Sequence, residues 1–202
     1  MAVRGEEHDD TISTATEVHE VHRRLVSAYG RLVLRRSNLA GAVRCYTEHG
    51  REMNRVITRL CRRFDHDLKE LLAYLRSPEA QKEAWPVPEA WNATVELIDA
   101  SLDEDAPLPE SLTTFRGISL REGEAFHVAT CGFVSVTLDI RVAWSYAQKS
   151  LRRRGGFANI IGISVGAGYP ALYVPAVIPE NEDFELILPP GSFHLPSVAL
   201  NS

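Results

Sequence analysis

The chain has 202 residues, 45% of them hydrophobic and 24% charged, and a formal net charge of −5. That length holds one domain of average size or two small ones, either with a real core, and the composition is that of a soluble globular protein. Together they exclude a membrane-spanning helix, since no apolar run approaches ~18 residues. They also exclude a zinc or disulfide framework, since Cys45, Cys61 and Cys131 are widely spaced without a CxxC pair, and a global nucleic-acid signature.

Residues 1–16 are polar and acidic and read as a disordered tail. They lack an apolar signal-peptide core. The expectation is a soluble protein, cytoplasmic or carried into a target cell by another route, or else a piece of a longer chain. The remainder, 17–202, reads as a single domain with a helical part (17–103) and a β-rich part (104–202). From Glu17 to Ser37, Val18, Val21, Leu25, Val26, Tyr29, Leu32 and Val33 recur at three- and four-residue steps, which predicts an amphipathic helix. Gly41 marks a break. Ala42 to Phe64 is a second helix, with Gly50 as a kink, and Asp65 to Arg76 continues it until Ser77-Pro78 ends or restarts it. Glu89 to Leu102 carries Trp91, Val95, Ile98 and Leu102 on one helical stripe.

After the acidic linker Asp103 to Glu110 the character changes. Leu112 to Ile118 and Phe133 to Leu138 are β-like. Asp139 to Leu151 is a helix that Asp139 can N-cap, and Arg152 to Gly156 is a basic turn. Ala158 to Val165 and Ala171 to Val174 are strands, Pro175 to Asp183 a loop, Glu182 to Leu188 a strand that Pro189-Pro190-Gly191 stops, and Phe193 to Val198 a last strand. Helices followed by a β-rich half make an α+β fold.

Charge is unevenly spread. Arg23 to Arg63 holds eleven Arg against two Glu, while Asp65 to Glu110 holds twelve acids against three bases. The basic stretch is either a solvated helical face or a surface that steers an acidic partner.

Three β segments carry chemistry that folding alone does not demand. Arg116 lies inside an otherwise apolar strand and needs an anionic partner, either a local acid or a bound phosphate or carboxylate that suits its fork geometry. Ser135 and Thr137 share a strand face and present two hydroxyls side by side, although such pairs also satisfy neighbouring backbone. Asp183 and Glu185 lie at i and i+2, roughly 6.5 Å apart along a strand. They project together either into water or into a site where each raises the other's proton affinity. His8, His19, His22, His49, His66, His127 and His194 are scattered and suggest no metal.

The order Arg116-Gly117, then Gly132-Phe133-Val134-Ser135-Val136-Thr137, then Asp183-Phe184-Glu185-Leu186-Ile187-Leu188-Pro189-Pro190-Gly191 resembles the mono-ADP-ribosyltransferases of the arginine–serine–glutamate class. Upstream, Tyr46-Thr47 and Asn54 to Leu60 are similar to that family's helical segment, so the likeness spans Tyr46 to Val198. It implies two packed, mainly antiparallel sheets behind an N-terminal helical layer, with NAD in the cleft between them as co-substrate and no metal. It implies that Arg116 and Gly117 lie along the pyrophosphate, that Ser135 and Thr137 support the site, and that Glu185 stabilises the ribosyl cation as nicotinamide departs. It places Asp183 on the acceptor side, counts Tyr46 and Asn54 of the helical segment among the NAD-binding residues, and puts Tyr146 and Lys149 in the phosphate-and-nicotinamide segment, with Arg152 to Arg154 as rivals for phosphate.

Four positions depart from the family pattern. Val136 and Thr137 stand where Thr and Ser are usual, and Phe115 where Tyr is commoner. Asp183 stands where Glu or Gln is usual, one methylene shorter than Glu, with Glu182 or Glu180 as substitutes. The expected partners are NAD and a macromolecular acceptor, a protein arginine by preference and nucleic acid not favoured. Water as acceptor would make the protein an NAD glycohydrolase, and a degenerate, non-catalytic binding module is the rival from another class.

Overall fold

A computed structural model describes residues 15–122 and 132–191. Its elements in chain order are α1 (Ala15–Arg35), α2 (Leu39–Arg63), α3 (Leu68–Leu75), a 3₁₀ turn (Pro78–Lys82), α4 (Pro88–Ser101), β1 (Leu112–Leu120), β2 (Val134–Thr137), α5 (Ile140–Arg154), β3 (Phe157–Val165), β4 (Leu172–Tyr173), α6 (Val174–Val177) and β5 (Glu185–Leu188). The expected tail 1–16 and the expected strand Phe193 to Val198 lie almost wholly outside the described residues, as do Cys131, His127 and His194. Among the described residues no helix is long and apolar enough to cross a membrane.

The helices form where the apolar spacing puts them. Leu39, Ala42, Val43, Tyr46, Met53, Val56, Ile57, Leu60 and Cys61 of α2 are buried, a stripe at three- and four-residue steps. Gly41 does not break this helix; the break falls at 36–38. Nor does α2 run on through Asp65. Asp65 and His66 take left-handed conformations (φ +48° and +66°), the His66 amide donates back to the Cys61 carbonyl (2.9 Å), and Asp67 then caps α3 by accepting from the Lys69 and Glu70 amides (2.8 and 3.1 Å). Aspartate and histidine tolerate the left-handed region better than most residues, so a helix ends there without glycine.

The charge asymmetry resolves internally. Arg35 and Arg36 at the end of α1 pair with Asp103, Asp105 and Asp99 (2.6–3.0 Å), Arg24 with Glu110 (2.8 Å), and Arg59 with Glu83. The basic helices thus close against the acidic segment. Each exposed pair adds little on its own, but together they set which helix faces which.

Five strands form one antiparallel sheet in the order β3-β1-β2-β5-β4. This corrects the expectation of two packed sheets: among the described residues the two halves are hydrogen-bonded neighbours. The junction is slight, however. β1 and β3 pair from Leu112↔Val165 to Leu120↔Phe157, whereas β1 meets β2 through Phe115↔Thr137 alone. β5, between β2 and β4, is buried on both faces (Leu186, Ile187, Leu188), as a central strand must be. It begins at Glu185, not Glu182, because Phe184 is left-handed (φ +48°) and ends the extended run. The loop expected at Pro175 to Asp183 starts inside the short helix α6, and Arg152 to Arg154 form the last turn of α5 instead of a loop.

α5 lies across β1, and Gly117 permits it. A Cβ at Gly117 would fall 1.8 Å from the Ala143 carbonyl oxygen of α5, and Ala143 and Ala147 present small buried faces to the strand.

Candidate active site

A cleft of about 570 Å³ opens between α2, β1, β2, α5 and the start of β5. It falls within the roughly 300–1,000 Å³ typical of small-molecule sites. Arg116 on β1, Ser135 on β2 and Glu185 on β5 all line it. The three segments are far apart in sequence and converge because β2 pairs with β5 (Ser135↔Ile187, Thr137↔Glu185) while touching β1 on its other edge.

Arg116 is half-buried and donates through Nη1 to the Ser135 carbonyl (2.9 Å). Desolvation lowers its pKa, and Tyr46 and Glu185 act against that. Among the described residues it forms no ion pair, although the Glu185 carboxylate acts on it electrostatically across the cleft. A desolvated guanidinium without an anion is costly unless a ligand supplies one. Burial raises the pKa of the Glu185 carboxyl, and Asp183 raises it further, while the Ser135 hydroxyl and Arg116 favour the ionised form. Perturbation of this kind, by burial together with specific charges in a cleft, marks a candidate functional group.

The helical wall is held to β2 by side chains. Asn54 of α2 donates to the Phe133 carbonyl (3.0 Å) and accepts from the Phe133 amide (2.8 Å). Gly132 leaves room for it, since a Cβ there would sit 2.7 Å from Asn54 Oδ1. The Tyr46 hydroxyl lies 3.4 Å from both Ser135 Oγ and the Phe133 carbonyl. Gly50 makes that possible: a Cβ would meet the Tyr46 ring at 2.9 Å. The glycine expected to kink α2 instead lets an aromatic ring lie along it.

The opposite wall centres on Asp183. Its carboxylate accepts from the Tyr146 hydroxyl of α5 (2.9 Å), its carbonyl accepts from the Thr137 hydroxyl (2.5 Å), and its amide donates to Asn181 Oδ1 (3.2 Å). Thr137 Oγ1 also accepts from the Asp139 amide (3.1 Å), so that hydroxyl is committed to structure. The Phe184 ring turns away and packs edge-on against His19 and His22 of α1 (centroids 5.3 and 5.5 Å). Asp183 and Glu185 therefore both line the cleft, although Asp183 precedes the strand.

Of the residues singled out from sequence, Tyr46, Asn54, Arg116, Gly117, Ser135, Thr137, Tyr146, Asp183 and Glu185 line the cleft. Lys149 does not. Its Nζ sits 4.8 Å over the Tyr146 ring, a cation–π contact. Glu180 pairs with Arg44 (2.5 Å), and neither Glu180 nor Glu182 lines the cleft, so neither substitutes for Asp183. Arg153, one of the rival phosphate contacts, does line it. Arg51 and Glu48 of α2 do as well and were not anticipated. Their signal is in the sequence: Tyr46, Gly50 and Asn54 recur every four residues, a polar and small face beside the apolar stripe. Among the described residues no group of His, Cys, Asp and Glu side chains is arranged to hold a metal ion.

No protein-family model matches the chain and no curated protein matches it in sequence. Solved structures resemble it in overall shape. A C3 exoenzyme from Clostridium limosum is 14% identical, with 85% of this chain and 82% of that one covered, at a TM-score of 0.49. An ADP-ribosyltransferase from Clostridium botulinum is 14% identical, with coverages of 90% and 87% and a TM-score of 0.49. An ADP-ribosyltransferase toxin from Paenibacillus larvae is 13% identical, with coverages of 74% and 83% and a TM-score of 0.39. Each lies below a TM-score of 0.5, and the reading of the cleft rests on the chain's own residues.

Proposed function

We propose that the protein is an NAD-dependent mono-ADP-ribosyltransferase of the arginine–serine–glutamate class. The observation that carries this reading is the presence, in one cleft, of a guanidinium with no ion-pair partner among the described residues and a carboxylate with raised proton affinity. NAD supplies an activated N-glycosidic bond between two regions of different charge: an anionic pyrophosphate and a ribose that turns cationic as nicotinamide leaves. Arg116 takes the pyrophosphate, with Arg51 and Arg153 as the other cations of the same cleft. In this reading Glu185 stabilises positive charge developing at the anomeric carbon and accepts from a ribose hydroxyl. Ser135 holds Glu185 in its ionised form, and Tyr46 and Asn54 hold the strand that carries Ser135.

The transfer balances simply. The bond between C1′ and nicotinamide breaks, nicotinamide leaves neutral with the bonding pair, the acceptor nitrogen bonds to C1′, and its proton is released towards Asp183. The acceptor is a protein side chain, arginine by preference, since a guanidinium offers N–H donors to that carboxylate.

The purified protein is expected to release nicotinamide from labelled NAD and to transfer label to protein in a cell lysate. Glu185→Gln is expected to lower nicotinamide release by about 10²- to 10³-fold, the usual effect of removing one preorganised group. A fully active Glu185→Gln enzyme refutes the role of Glu185; free ADP-ribose without labelled protein assigns the activity to glycohydrolysis, and no NAD binding leaves an interaction module.

A further inference from the structure

We propose that Tyr146 is a positioning residue for Asp183, acting on the acceptor side of the cleft and not as a contact of NAD; this rests on the transferase reading above. Asp183 is held at its carboxylate by Tyr146, at its carbonyl by Thr137 and at its amide by Asn181. These partners come from α5, from β2 and from the loop before β5. The next residue, Phe184, occupies the left-handed region that a bulky side chain adopts only when its surroundings impose it. The two histidines of α1 against its ring supply that constraint.

So much fixation around an acid beside Glu185 has a cost. A second carboxylate makes Glu185 harder to ionise and works against nicotinamide release. Asp183 therefore serves some other step, and the remaining step is alignment of the acceptor.

Asp183 is a short acid in that role. Its reach is one methylene less than a glutamate's, so its direction matters more, and a fixed donor on one oxygen sets that direction. The Tyr146 hydroxyl is that donor, bonded to Oδ2 at 2.9 Å. Among the described residues Oδ1 accepts no hydrogen bond, which leaves one oxygen for an N–H or O–H of the incoming side chain. Tyr146 itself is 46% exposed, as befits a group at the rim, and Lys149 over its ring steadies the ring plane. Tyr146 thus keeps Asp183 aimed.

The test separates transfer from release. With labelled NAD and lysate protein, the ratio of protein-bound ADP-ribose to nicotinamide released is measured for wild type, Tyr146→Phe, Asp183→Asn and the double variant. Tyr146→Phe is expected to lower that ratio about tenfold or more, as small misplacements of a reacting group do, whatever its effect on total turnover. In the Asp183→Asn background, which keeps the side-chain volume, Tyr146→Phe is expected to have no further effect on the ratio, because both changes remove the same alignment. An unchanged ratio in Tyr146→Phe, or losses that multiply in the double variant, overturns the proposal. Wild-type protein that consumes NAD and labels nothing also overturns it while leaving nicotinamide release to Glu185, and wild-type protein that neither binds nor consumes NAD removes the transferase reading itself.

Discussion

Asn54 pairs with Phe133 as a neighbouring strand would, accepting from its amide at 2.8 Å and donating to its carbonyl at 3.0 Å. A helix side chain thereby completes the backbone hydrogen bonding at the start of β2, two residues before Ser135. Asn54→Ala removes both bonds, leaving the Phe133 amide unsatisfied and its carbonyl with only the longer bond from the Tyr46 hydroxyl (3.4 Å), which costs about 1–3 kcal/mol. Urea denaturation is expected to show a lowered midpoint. Asn54→Asp keeps the acceptor but sets a carboxylate oxygen against the Phe133 carbonyl, and it is expected to lower the midpoint as well.

Gly117 is a question of space. A Cβ there collides with the backbone of α5 (1.8 Å to the Ala143 oxygen, 2.6 Å to the Ala147 nitrogen), and backbone cannot rotate away as a side chain does. Gly117→Ala is expected to destabilise by at least the roughly 1–3 kcal/mol of ordinary overpacking. Gly162 on the paired strand β3 has nothing within 4 Å of a built Cβ, so Gly162→Ala is the matched control and is expected to fold normally. Equal thermal midpoints for the two variants would contradict the close approach of α5 to β1.

On the proposed reading, the acidic limb of the pH–rate profile is expected to report Glu185. Burial first, then Asp183, raises its pKa above the ordinary glutamate value of 4.5, so the limb in kcat/KM for nicotinamide release lies above that pH. Asp183→Asn removes the neighbouring charge and is expected to move the limb to lower pH. Ser135→Ala removes a group that favours the carboxylate and moves it higher. Opposite shifts from two neighbours identify the titrating group, and a limb indifferent to both would assign it elsewhere.

His22 couples stability to pH behind the active strand. Burial, then the nearby His19, lowers its pKa below 6.5, while its Nδ1 lies 2.8 Å from the Tyr173 hydroxyl. Between the lowered folded value and 6.5 the unfolded chain binds more protons, so stability rises with pH across that window and is lost as pH falls through it. The thermal midpoint is expected to climb from mildly acidic to neutral pH, and His22→Gln to flatten the climb. The same slope in the variant would exclude His22 as its source.

Periodicity located α1, α2 and α4 within a few residues, because an amphipathic stripe is a local property, though it ran α2 into α3 and gave no sign of α6; β1, β2, β3 and β5 were legible from short apolar runs between turns. Their ends were less so. Asp65 and His66 are types that tolerate the left-handed region, but nothing local distinguishes them from the chain's other aspartates and histidines, and Phe184 is a type that avoids it; packing against Cys61 and against His19 and His22 goes with these turns. The basic and acidic segments illustrate the same limit, since a sequence cannot say that Arg36 faces Asp103 and not a ligand.

What the amino-acid order determined by itself was the set of side chains able to handle an anion and a developing cation: a strand arginine, a paired hydroxyl and two nearby acids. Tertiary structure alone decided that Arg116, Ser135 and Glu185 share one cleft, that Thr137 and Asn54 hold backbone, that Lys149 stands outside, and that Tyr146 grips Asp183. Those outcomes depend on strand register and on where α2 and α5 cross the sheet, distances set by contacts between residues far apart in the chain, such as Tyr46 and Ser135 at 89 positions, and no local pattern encodes them.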